Sequence, residues 1–261
     1  LAVAPLIAAE QPNVVLIMAD DLGYGDVRPN NPSSKIPTPA FDRLAAEGMR
    51  FTDGHSAGSV CTPSRYALMT GVYPHRKGHN RPVFLRTGLI IDTERQTVAD
   101  LMKDAGYATA CIGKWDVSNR KAIINRMPNA QGFDYYFGPL GANDGGTVKF
   151  HLNNEPAGQT TDMGSLTRLY TDKAIDYLEN KRKSDQPFLL YLAHTMMHTI
   201  IDASPEFRGK SKGDLYGDVV EEFDHETGRL LDTLDETGAV VLPQQVVQVD
   251  AHDVHANLPR I

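Results

Sequence analysis

The chain has 261 residues, 41% hydrophobic and 23% charged, a balance that sustains a buried core and argues against disorder. Its net charge is −7 and its longest basic cluster is Lys181-Arg182-Lys183, so nucleic acid is not an expected partner. Two cysteines, Cys61 and Cys111, are too few for a disulfide framework.

Leu1 to Ala9 is apolar and alanine-rich. Residues 1–11 are expected to be a signal-peptide remnant or a disordered leader, with the small residues Ala8-Ala9 as a cleavage region, which points to export. No apolar stretch reaches the length of a bilayer span, so no membrane partner is expected. Asn13 to Ala19 is a short apolar run that predicts a buried strand ending in Asp20-Asp21. Thr38-Pro39 opens a helix with Phe41, Leu44 and Ala45 on one face and Gly48 at its end. A second helix is predicted from Pro63 or Ser64 to Met69, stopped by Gly71. A third is predicted from Thr97 to Ala105, with Val98, Leu101 and Met102 inward and Gly106 as its stop.

A strand is predicted over Ala108 to Ile112, ending in Gly113-Lys114, with Cys111 as a buried apolar thiol. The Gly- and Asn-rich stretch Gly138 to Gly164 predicts a long loop. Helical spacing runs from Leu166 to Lys181, Phe188 to Ala193 predicts a buried strand ending in His194, and Gly217 to Glu236 carries an apolar stripe from Val219 to Leu234. Alternating strands and helices predict an α/β fold with a mainly parallel sheet between helices. Ligands of such sheets gather beyond the carboxyl ends of the strands. Asp20, Asp21, Lys114, His194 and His198 are thereby expected at one edge.

Adjacent carboxylates after a buried strand suit a hard cation, Ca²⁺ or Mg²⁺; the alternative is a turn or cap acid. Asp26 is expected to be a turn residue. Cys61 in Cys61-Thr62-Pro63-Ser64-Arg65 stands before a helix and near Arg65, where a thiolate nucleophile is one reading and a buried inert thiol the other. Lys114 could hold a tetrahedral anion and His198 could give a proton to a leaving oxygen; a surface lysine and a loop histidine are the plain alternatives. Zinc held by His194 and His198 is disfavoured because they follow a strand.

The segment Cys61 to Arg65 resembles the C-x-P-x-R signature of the sulfatases. Tyr66 to Gly71, Asn13 to Asp26, Gly106 to Trp115, Gly132-Phe133-Asp134, Tyr191 to His198, and the helix with Tyr216, Asp224 and Gly228 are also similar to that family. The resemblance implies an alkaline-phosphatase-like fold, with residues 12–261 as the N-terminal portion of a catalytic domain. It implies a bound Ca²⁺, with Mg²⁺ as the alternative, and sulfate-ester substrates. It also implies conversion of Cys61 to formylglycine by a separate maturation enzyme, in a periplasmic or secreted protein. The hydrated aldehyde then attacks sulfur, and its second hydroxyl allows sulfate to be expelled. Carried over by motif, Asp20, Asp21 and Cys61 are metal ligands, Arg65 orients the hydrate, Lys114 holds sulfate oxygens and His198 protonates the leaving alcohol.

Two departures accompany the resemblance. Asp116 replaces the family's usual His two residues after the Lys, where it could act as a base but repels an anionic substrate, so reduced turnover is expected. Residues 240–261 form an atypical tail in which Val246 to Val249 could lead as a strand into Asp250, the candidate further ligand, with Asp253 no better placed. The C-terminal part of the family fold is expected to be missing. Two other readings stay open: a phosphodiester or phosphonate hydrolase of the same superfamily, and a truncated or decayed homologue that binds metal or anion without turnover.

Overall fold

The computed structural model describes residues 11–79, 81–82, 89–118, 124–181 and 184–238. The expected leader, the tail with Asp250 and Asp253, and Arg182-Lys183 lie wholly or almost wholly outside them. The strands are β1 (Val14–Met18), β2 (Ala108–Gly113), β3 (Tyr135–Gly138), β4 (Val148–Leu152), β5 (Glu155–Thr160) and β6 (Phe188–Ala193). The α-helices are α1 (Pro39–Glu47), α2 (Cys61–Thr70), α3 (Val98–Asp104), α4 (Leu166–Lys181) and α5 (Asp214–Thr237).

One mixed sheet runs in the order β1-β6-β2-β3-β4-β5. β1, β6, β2 and β3 are parallel, and β4 and β5 add antiparallel to the β3 side. Both faces of the parallel part are covered, as such strands require. Leu190 and Leu192 of β6 pack with Phe41, Leu44, Tyr170, Phe223 and Leu230, so α1, α4 and α5 form one layer. Leu189, Tyr191 and Ala193 alternate to the other face and pack with Tyr66, Met69 and Ala99 of α2 and α3.

Several expectations are corrected. α2 begins at Cys61, not Pro63 or Ser64, because Pro63 fits within a first turn whose N–H groups lack helical partners anyway. α5 begins at Asp214, three residues ahead of Gly217. Leu101, expected inward, is exposed; Ala99 is the buried residue of α3. The stretch from Gly138 to Gly164 is not a long loop: it holds β4 and β5, with Val148 and Phe150 buried on alternate positions. Cys111 is fully buried, as expected.

The start of α1 shows how the layers lock. Thr38 does not cap it; its Oγ1 accepts from the Arg28 N–H instead, at 2.9 Å. Asp224 of α5 accepts the N–H groups of Ala40 and Phe41, both at 3.0 Å. A carboxylate there satisfies two otherwise orphaned donors and faces the positive helix end.

Candidate active site

Parallel register aligns the strand tips that carry the chemistry. Met18 of β1 and Gly113 of β2 both lie opposite Ala193 of β6. The chain then leaves all three strands together: His194 N donates to Met18 O at 2.9 Å and Lys114 N donates to Ala193 O at 2.7 Å. Gly113 has φ 103°, and a Cβ on it would collide with the Ala193 carbonyl, so only glycine permits this turn.

Asp20 and Lys114 are brought into direct contact, with Lys114 Nζ 2.5 Å from Asp20 Oδ2 and both side chains fully buried. Arg65, also buried, reaches the same oxygen at 3.4 Å. Its Nη1 donates to Lys114 O at 2.7 Å and to the Tyr191 hydroxyl at 3.1 Å. Burial alone would raise the Asp20 carboxyl, but Lys114 and Arg65 outweigh it and hold it below the usual carboxylate range. Burial likewise opposes charge on Lys114 and Arg65, yet Asp20 keeps Lys114 raised, and Arg65 is raised by Tyr191 and Asp20.

Cys61 is the half-buried member of this otherwise buried group. Burial, the Asp116 carboxylate and a hydrogen bond to it push the thiol up to about 12, with Lys114 opposing and Asp20 adding to the rise. These influences work against a thiolate at Cys61 in the metal-free protein, where burial and two carboxylates oppose the positive helix end. Asp116 accepts the Thr62 hydroxyl at 2.9 Å and lies 3.9 Å from Lys114 Nζ. Asp116 and Asp21 both take left-handed backbone, φ 55° and 64°, a strained choice that clusters at functional sites.

The two histidines part company. His194, expected at the edge, turns into the core between Tyr170 and Phe223, and burial drives it down to about 3. His198 stays at the site margin, its Nδ1 2.7 Å from Thr199 O and its Nε2 3.3 Å from Asp144 Oδ1. It is close enough to help lower Asp20. Asp26 is a turn residue, held by the Tyr216 hydroxyl at 2.7 Å.

Asp20 Oδ1 is buried and has no hydrogen-bond partner, a cost that a bound cation would remove. The acid pair therefore fits part of a hard-cation site, although no group of three candidate ligands occurs among the described residues. Asp250 lies outside them. Sequence reasoning missed Thr62, Tyr191 as the partner of Arg65, and Asp144. Tyr191 had a usable signal, being the one polar side chain in an apolar strand; Asp144 had none.

A family model described as Sulfatase matches residues 12–239. Mouse N-acetylgalactosamine-6-sulfatase is 33% identical over 88% of this chain and 48% of its own length. Mouse arylsulfatase G is 32% identical over 87% of this chain and 49% of its own length. The chain thus spans about half the length of these relatives. A solved Bacteroides thetaiotaomicron structure, reported with the metabolism of multiple glycosaminoglycans, aligns with TM-score 0.80 at 26% identity, covering 88% of this chain and 60% of that one.

Proposed function

Since the chain belongs to the sulfatase family, we propose that it hydrolyses sulfate esters at the cluster around Cys61. The observation that carries this reading is the burial of Lys114 and Arg65 on Asp20 beside the one accessible thiol. Two buried cations next to a reactive position suit a tetrahedral oxyanion, and a surface lysine would not be placed so.

Formylglycine made from Cys61 by a maturation enzyme would supply a hydrate with one hydroxyl to attack sulfur and another through which sulfate leaves. A hard divalent cation, Ca²⁺ or Mg²⁺, would be held by Asp20, Asp21 and the group at Cys61, with Asp250 as a further candidate, and would offset charge on sulfate oxygens. Lys114, seated on Asp20, would hold those oxygens as a point charge. Arg65, tied to Tyr191 and the Lys114 carbonyl, orients the group at position 61 from one turn along α2. Asp116, already an acceptor for Thr62 and Cys61, takes a proton there. His198 gives a proton from Nε2 to the leaving oxygen as the S–O bond breaks and its electron pair stays with the alcohol.

Residues 12–261 would be part of that catalytic domain, working in the periplasm or after secretion. Among the described residues no helix is long and apolar enough to cross a membrane. The test is the mass of the Cys61 peptide in protein expressed with a maturation enzyme, together with release of sulfate from an aryl sulfate. An unmodified thiol and no sulfate released would end the proposal.

A further inference from the structure

We propose that Asp144 is a positioning residue that aims and loads His198, and that it does so from a two-residue clamp formed with Asn143. The inference rests on the reading of His198 as the proton donor, and adds the element that makes it one.

His198 Nδ1 lies 2.7 Å from the Thr199 carbonyl, which can only accept, so Nδ1 carries a hydrogen. Nε2 is then the nitrogen that can exchange a proton with substrate. It faces a carboxylate oxygen of Asp144 at 3.3 Å. A lone pair on Nε2 would oppose the lone pairs of that oxygen, whereas an N–H there meets an acceptor. The two contacts together aim the ring and give a hydrogen on Nε2 an acceptor, the geometry a general acid needs. At 3.3 Å the contact is loose enough for an arriving leaving oxygen to share the hydrogen.

The neighbouring residue fixes the backbone under this ring. Asn143 is fully buried, and its Nδ2 donates to the carbonyls of His198 at 3.0 Å and Ile200 at 2.8 Å. Consecutive residues between β3 and β4 thus hold both the main chain and the side chain of His198, which lies beyond β6. Such a supporting shell sets a ring's direction where its own short loop cannot. Asp144 is about half exposed, so a thermal melt of each variant accompanies the kinetics to separate a loss of aim from a loss of fold.

The test compares full-length matured wild type with Asp144→Ala and Asp144→Glu on two esters. One is 4-nitrophenyl sulfate, whose phenol leaves with little help, and the other is an alkyl or sugar sulfate, whose alkoxide needs a proton. In Asp144→Ala, kcat for the alkyl or sugar ester is expected to fall about 10–100-fold while kcat for 4-nitrophenyl sulfate changes less than about threefold and KM holds. Asp144→Glu recovers part of the loss. Equal falls on both esters, or none on either, overturn the proposal. A second readout needs no turnover: a downfield Nε2–H proton resonance, identified by its loss in His198→Gln, is expected in wild type and absent in Asp144→Ala. Its survival in Asp144→Ala also overturns the proposal. If matured wild type releases sulfate from neither ester, the hydrolytic reading fails by itself and the resonance alone decides the role of Asp144.

Discussion

Lys114 Nζ and Asp20 Oδ2 meet at 2.5 Å, in contact with no solvent. Charges in that position are tolerated as a pair and punish the loss of either member.

Lys114→Met is therefore expected to destabilise the fold by about 3–5 kcal/mol, because it leaves Asp20 buried with only Arg65 at 3.4 Å. Lys114→Met combined with Asp20→Leu should cost less than Lys114→Met alone. Urea unfolding of wild type, Lys114→Met, Asp20→Leu and the double variant measures this, and simple additivity of the two changes would refute the coupling.

His194 should make the protein acid-labile. Its folded form resists protonation until about pH 3, whereas the unfolded ring titrates near 6.5. Below 6.5 the unfolded chain binds the proton and the folded one does not, so stability falls as pH drops from 6.5 toward 3, by at most on the order of 4 kcal/mol. In His194→Phe that slope should shrink in melts run across this window.

Asp224 works with the opposite sign. Burial lifts its carboxyl to about 6, against the two N–H groups that lower it. Between about 4 and 6 the folded state holds the extra proton, so this group takes stability away as pH rises through that range. Asp224→Asn should flatten the dependence while keeping an acceptor for α1, whereas Asp224→Ala should lose about 1 kcal/mol or more with the cap itself. Equal melting profiles for the three proteins would refute the assignment.

Asp116 places a second carboxylate beside Cys61 and 3.9 Å from Lys114. For an anionic ester this is adverse, so Asp116→His in matured protein should raise kcat by about tenfold, a fraction of the roughly 10²–10⁴-fold that a positioned acid–base group contributes. A left-handed φ of 55° does not forbid the exchange, since His accepts that backbone more readily than most residues. Unchanged or lower sulfate release would count against the account.

What was legible in the sequence followed from local physics. β1, β2 and β6 lie within one or two residues of their expected bounds, because the apolar runs there are bounded by Asp20, Gly113 or Pro187, and α4 follows its helical spacing. The same logic put Asp20 and Lys114 at one strand edge. β4 was hidden by its glycine- and asparagine-rich neighbours, although Val148-Lys149-Phe150 alternates as a strand should. Leu101 misled because α3 has only seven residues, too few for a stripe to declare its face. The proton-donor role fell to His198, but the inward turn of His194 was not legible, since the aromatic pocket of Tyr170 and Phe223 is assembled from distant segments.

The tips of β2, β3 and β6 touch backbone to backbone. A Cβ on Gly138 would strike the Gly113 carbonyl, just as one on Gly113 would strike that of Ala193. The floor of the cluster is thus spaced by main chain and cannot be widened by exchanging side chains. Room beside the cluster is therefore set by the overlying connections, the Asn143–Asp144 stretch among them, while the strand ends act as a fixed floor beneath them.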